Sequence, residues 1–273
     1  MTISVDHLTG LGESSEAGFM AAYESGTPAG AAADLGITVR RIGGGVALAM
    51  RHDPTGYWSK ALGFGVTEPV TDELVGAVVE FYREHGNDRA AIQIAPSLRP
   101  ANWDEITRRY GLRQGNSVVK HAARPAEVGT APTDLRVGPV PAGQAVAWAE
   151  LVLTCFGMPL GPLTEMLTAS FGSPEFHPFG AWAGARLVGA ANLFVRDGVA
   201  SLNTGATHPD FRGRGAQSAL IAARAAKAAE LGCEWIISET GLPADGTKNP
   251  STDNMLRLGL RDLYHRDNWI WER

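Results

Sequence analysis

The chain has 273 residues, 44% of them hydrophobic, with a formal charge of −5 and a pI near 5.8. That length fits one large domain or two of ordinary size, with a core ample enough to need no disulfide or metal. The mild acidity excludes a global pull towards nucleic acid, and no stretch of about 18 apolar residues is present to span a membrane. The first residues lack the basic start and apolar run of a secretory signal, so a cytoplasmic protein is expected. Cys155 and Cys233 sit in no metal-spaced pattern and are expected to be small buried apolar residues rather than ligands or nucleophiles.

In chain order, the first 36 residues are small and polar-rich and predict a short helix or two after a mobile start. Three strand-like runs follow, 37–42, 46–51 and 57–64, punctuated by Gly and Pro turns as in a meander. Residues 71–85 predict a helix: Thr71 can cap it, and Leu74, Val75, Val78, Val79 and Tyr82 recur at helical spacing. A strand at 90–95, a helix at 103–110 and a strand at 116–122 close the first half. Residues 124–132 have linker composition, which divides the chain into 1–124, a linker at 125–133, and 134–273.

The second half predicts helices at 142–156 and 163–171, then strands at 179–183, 187–195 and 199–207. An alanine-rich helix over 216–231, a strand at 234–240, a short helix at 253–258 and a last strand at 268–272 complete it. Both halves run three hairpin-linked strands, helix, strand, helix, strand. This order predicts a tandem repeat of one fold, and the alternative is two unrelated α/β domains.

The turn before the long helix differs between the halves. In the second it reads Arg212-Gly213-Arg214-Gly215-Ala216-Gln217. Glycines let the backbone approach a ligand, a helix start supplies unpaired N–H donors, and arginines grip phosphate, so the turn implies a diphosphate. The first half has Gly63 and Gly65 there, no arginine, and Glu68 and Asp72, which would repel one. The missing Lys-Ser/Thr of a P-loop argues against a generic nucleotide site.

These features resemble the GNAT superfamily of acyl-CoA-dependent N-acyltransferases. Its pyrophosphate loop, Q/R-x-x-G-x-G/A between strand and helix, falls on Arg212, Gly215 and Gln217, the last replacing a small residue. Asn249, ten residues before Gly259, stands where members place an asparagine on the CoA arm, and Met255 stands where they often carry a catalytic tyrosine. The resemblance implies an α/β (α+β) fold of tandem GNAT-like mixed sheets flanked by helices, with a degenerate N-terminal copy and a catalytic second half. It implies one acetyl-CoA site per chain, without metal, on Arg212, Gly213, Arg214, Gly215, Ala216, Gln217 and Asn249. Gly205, Ala206 and Thr207 are the candidate backbone donors to the thioester oxygen. Transfer to a small-molecule amine needs a base, for which Glu239 at a strand end is the candidate, with His177 and His265 as alternatives. Tyr264 is the candidate acid. Met158, Phe171, Phe176, Trp182 and Phe194 are expected around the acceptor. The expected partner is that amine alone, with no nucleic acid or membrane, in a monomer or homodimer. A non-catalytic acyl-CoA-binding module is the alternative.

Overall fold

A computed structural model describes residues 5–243 and 247–273. It opens with a helix of 21 residues, Val5–Ser25 (α1), then Ala29–Leu35 (α2). The first half continues with strands Ile37–Ile42 (β1), Gly45–Met50 (β2) and Lys60–Leu62 (β3), helix Asp72–Glu84 (α3), strand Arg89–Gln93 (β4), helix Trp103–Tyr110 (α4) and strand Arg113–Ala123 (β5). Thr71 caps α3 by accepting from the Leu74 N–H, as its sequence predicts.

The second half has strand Arg136–Pro139 (β6), helices Ala145–Cys155 (α5) and Pro162–Ala169 (α6), and strands Phe176–Ala183 (β7), Arg186–Arg196 (β8) and Val199–Thr207 (β9). Helix Ala216–Glu230 (α7), strand Trp235–Gly241 (β10), helix Pro250–Arg257 (α8) and strand Arg261–Glu272 (β11) follow. From α1 to β5 and from α5 to β11 the element order is the same, so the predicted internal repeat is present in the fold. Among the described residues no helix is long and apolar enough to cross a membrane.

All eleven strands form one sheet, in the order β1-β2-β3-β4-β11-β5-β10-β9-β8-β7-β6. The halves exchange their closing strands. The last strand, β11, lies between β4 and β5, while β5 crosses to pair with β10 of the second half. Each half contains one parallel pair, β3 with β4 and β9 with β10.

Side chains alternate across β2 and show the layering. Val46, Leu48 and Met50 join α1, α2, α5 and α6 in one core, whereas Ala47 and Ala49 join α3 and α4 in another. α7 and α8 pack beneath the second half on the side of α3 and α4. α1 spans the halves, touching β1, β2 and β3 as well as β8 to β11. Its glycines permit the close approach: a Cβ at Gly12 would meet the Tyr264 hydroxyl at 3.1 Å, and one at Gly18 would meet Phe194 at 3.3 Å.

The segment at 125–133 is packed rather than loose. The Gly129 N–H donates to Leu258 O (2.8 Å), and the Thr133 hydroxyl donates to Arg214 O (2.7 Å), so it braces α8 and the arginine turn.

Candidate active site

β9 and β10 pair only over Val199–Leu202 and Trp235–Ser238, then diverge. A cavity of about 480 Å³ opens where they part, lined by Leu202 to Gly205 on one side and Ile237 to Gly241 on the other. Strand β9 bulges here: Thr204 and Gly205 oppose Ala191 alone, and Thr204 takes a left-handed φ of 55°. Non-glycine residues adopt that conformation at a cost, and here its neighbours hold it. Arg224, buried on α7, donates to the carbonyls of Asn192 (2.7 Å) and Asn203 (3.2 Å) beside the broken ladder. Tyr23, reaching over from α1, places its hydroxyl 3.1 Å from Thr204 Oγ1 and accepts from Asn192 Nδ2 at 2.7 Å. Burial raises the Tyr23 pKa, so the phenol keeps its proton at neutral pH.

The arginine turn lies at the N-terminus of α7. Gly213 and Gly215 both have φ of +78°. A Cβ at Gly213 would meet nothing within 4 Å, whereas one at Gly215 would meet Pro132 O at 2.6 Å. The first α7 hydrogen bond from this end runs from Ala219 N–H to Gly215 O, so the N–H groups of Gly215, Ala216, Gln217 and Ser218 have no acceptor within the helix. Arg212 is exposed beside them. Arg214 is instead ion-paired with Asp134.

Gln217 turns its side chain away from the turn. It donates to Ser251 Oγ (2.9 Å) and accepts from Asn254 (2.6 Å), tying α7 to α8. Asn249 caps α8 through the Ser251 N–H and donates to Gly241 O (2.7 Å), which closes the end of β10 against it. Gln217, Asn249, Ser251 and Met255 line the cavity on this side. Of the three backbone candidates on β9, Gly205 faces the cavity, Ala206 is buried, and Thr207 ends the strand.

Glu239 is the point where the two halves meet. It faces Lys120 across the β10–β5 ladder, and its Oε2 receives Lys120 Nζ at 3.0 Å and Arg266 at 2.7 Å. Behind it Glu16 takes Lys120 and Arg266 at 2.5 Å each, and Glu13 takes Arg266 at 2.7 Å. Burial alone would push the Glu16 carboxyl up, but Arg266 and Lys120 outweigh it and hold it well below the usual range. Burial likewise opposes the Lys120 ammonium, and Glu16 and Glu239 overcome it and raise its pKa. The Glu239 side chain is 23% exposed, towards the cavity, against 2% for Lys120 and 4% for Glu16.

Tyr264 requires a correction. Its hydroxyl donates to Glu13 Oε1 (2.6 Å) beneath α1, and it does not line the cavity. Burial, and then the Glu13 charge, raise its pKa. Of the expected acceptor residues only Met158 lines the cavity. Phe176, Trp182 and Phe194 are core, and Phe171 packs against Trp148. His177 and His265 also lie outside the lining. Sequence reasoning missed Tyr23, Glu16, Lys120 and Arg224, all of which line the cavity.

No curated protein sequence matches the chain. Residues 146–247 match the Acetyltransferase (GNAT) family. Three solved structures are similar over most of the chain. A GCN5-related N-acetyltransferase from Kribbella flavida has a TM-score of 0.62 and 16% identity, over 86% of this chain and 89% of that one. A GCN5-related N-acetyltransferase from Sphaerobacter thermophilus has a TM-score of 0.59 and 15% identity, over 86% and 76%. A tandem GNAT protein from the clavulanic acid biosynthesis pathway has a TM-score of 0.58 and 15% identity, over 85% and 81%. The second half therefore carries a domain of the acetyltransferase (GNAT) family, and the chain as a whole has the fold of a tandem of two such units.

Proposed function

We propose that the protein transfers the acetyl group of acetyl-CoA directly to the amine of a small molecule. The observation that carries this reading is the juxtaposition at one opening: an anion-ready helix N-terminus leads into it and a carboxylate fixed on β10 ends in it. In this reading 134–273 is the catalytic half. The degenerate half, 1–124, contributes α1 and β5 to the site.

The residues present suit the donor. The N–H groups at the start of α7 and the Arg212 side chain would hold the diphosphate, with Gly213 and Gly215 keeping side chains out of its way. Asn249 and Gly241 border the path of the pantetheine arm. The β9 bulge at Thr204–Gly205 and the backbone through Ala206 and Thr207 would face the thioester carbonyl, where donors fixed in place stabilise developing negative charge. CoA supplies the activated acyl thioester, and the protein orients it.

Glu239 acts on the acceptor. An alkylammonium of pKa ~10.4 must lose its proton before it attacks, at a cost of roughly 4.6 kcal/mol at pH 7. A carboxylate at the cavity wall takes that proton, directly or through water. Tyr23, protonated and held at the bulge, replaces Tyr264 as the hydroxyl donor facing the reacting atoms.

Acetyl-CoA-dependent thiol release, measured against a panel of amines with titration calorimetry for CoA, tests the reading. Amine-dependent release that Glu239→Gln lowers sharply at neutral pH is expected. CoA binding with no release under any amine would make the protein a binding module instead.

A further inference from the structure

The cavity crosses the sheet through the gap between β9 and β10. Gln217, Asn249 and Met255 border it on the face of α7 and α8. On the opposite face its walls come from α1, the 57–58 segment and the end of α5. That second region is aromatic: Phe19, Tyr57, Trp58 and Phe156 line it with Met158. Tyr57 and Phe156 are 41% and 53% exposed, large apolar groups left open around a cavity.

The polar end of this region carries an imbalance. Glu13, Glu16 and Glu239 share Lys120 and Arg266, three carboxylates to two cations in one buried cluster. Both cations reach Glu239 through Oε2. Among the described residues nothing donates to its Oε1. Of the three, Glu239 is the most open, 23% exposed against 4% for Glu16 and 0% for Glu13, so an ammonium arriving from the cavity would meet Glu239 and complete the set. Lys60 does not supply that charge by contact. Its ammonium lies 3.6 Å over the Tyr57 ring, and among the described residues it makes no ion pair within 4 Å.

The same surroundings exclude other amines. The cations lining the cavity are Lys120 and Arg224. The first is held between Glu16 and Glu239, and the second donates to the carbonyls of Leu220, Asn192 and Asn203. Among the described residues that line the cavity, neither cation is left for an acceptor carboxylate, which would also face Glu16 and Glu239. Among the described residues Glu16 and Glu239 are the carboxylates that line the cavity, both at its polar end, so the further charges of a polyamine would lie along the aromatic walls without a carboxylate.

We propose that the acceptor is an arylalkyl monoamine without a carboxylate, its ammonium on Glu239 and its ring between α1 and the end of α5. This rests on the acetyl-transfer reading for the site's chemistry, but binding tests it separately. Calorimetry with the full chain and CoA should show 2-phenylethylamine binding about 100-fold or more tighter than phenylalanine or spermidine, since each of these brings charge with no partner. In thiol-release assays Phe156→Ala should lower kcat/KM for 2-phenylethylamine several-fold and leave that for ethylamine within about twofold, because Phe156 touches only the larger body. Tighter binding of phenylalanine or spermidine, or no binding of 2-phenylethylamine, overturns the assignment. Binding in the expected order without thiol release would support the amine class and sink acetyl transfer.

Discussion

Glu239 is held by two cations through one oxygen and lines the cavity, and that geometry sets its behaviour. Replacing it with Gln keeps the shape and removes the proposed base, so kcat should fall by ~10²- to 10⁴-fold at neutral pH. The loss should shrink as the medium approaches the pKa of the amine, because free base then arrives without help. A variant whose deficit is constant across pH would show that Glu239 only shapes the wall. Tyr23→Phe should lower kcat by about 10²-fold with little change in CoA affinity, as for removal of one donor at a developing charge. Tyr264→Phe, at the hydroxyl under α1, should leave kcat and its pH profile intact.

His121 sits on the other face of β5, with Asp262 at 2.8 Å on one nitrogen and the Thr240 hydroxyl at 2.7 Å on the other. Burial lowers its pKa, against the opposing pull of Asp262. The folded state therefore binds fewer protons than the unfolded one near the ordinary histidine value of ~6.5. This contribution is fully present above that value and is lost as pH falls from it through the lowered folded pKa. Urea midpoints taken from about pH 7.5 down to about pH 5 should fall more for the natural chain than for His121→Gln. Equal slopes would show that His121 carries none of this dependence. His177, also lowered by burial, adds to this effect in the same direction.

At the scale of single elements, α1 shows what the sequence hides. Among the described residues its buried positions are Thr9, Gly12, Glu13, Glu16, Gly18, Met20, Tyr23 and Glu24, of which four of eight are threonine or glutamate. A search for apolar periodicity passes over it, and Gly10, Gly12 and Gly18 lower its helix propensity further. Only their partners, Lys120 and Arg266, explain why Glu13 and Glu16 face inward, and they lie more than a hundred residues away. By contrast α3, with a threonine cap and a clean apolar stripe, was legible almost to the residue. The strand-to-helix turn at Arg212–Gly215 was legible for the same kind of reason, because its residues stand side by side, and its proposed role as the diphosphate site rests on contiguous backbone. Gly215→Ala should weaken CoA binding more than Gly213→Ala. Both force a side chain into a left-handed φ, but only at Gly215 does the new Cβ meet a carbonyl. Equal calorimetric affinities for the two variants would remove the Pro132 contact from the account.

At the scale of the whole molecule, the matching element order of the two halves could be read from the sequence, but the exchange of closing strands could not. Hydrophobic pattern marks β5 and β11 as strands and says nothing of their neighbours. The exchange has an energetic consequence. Without residues 1–133, β11 loses both flanking strands, β4 and β5, and Arg266 loses Glu13 and Glu16 and keeps only Glu239. Removing partners from a buried charge costs about 3–5 kcal/mol, comparable with much of a domain's net stability. Two bare strand edges would also invite aggregation. The fragment 134–273 should therefore not fold as a soluble monomer, and co-expression with 1–133 should restore it. The intact chain should melt in a single calorimetric transition, with the calorimetric and van't Hoff enthalpies in agreement. Two separable transitions, or a folded 134–273 fragment that binds CoA unaided, would mean that the central β5–β11 pairing does not couple the halves.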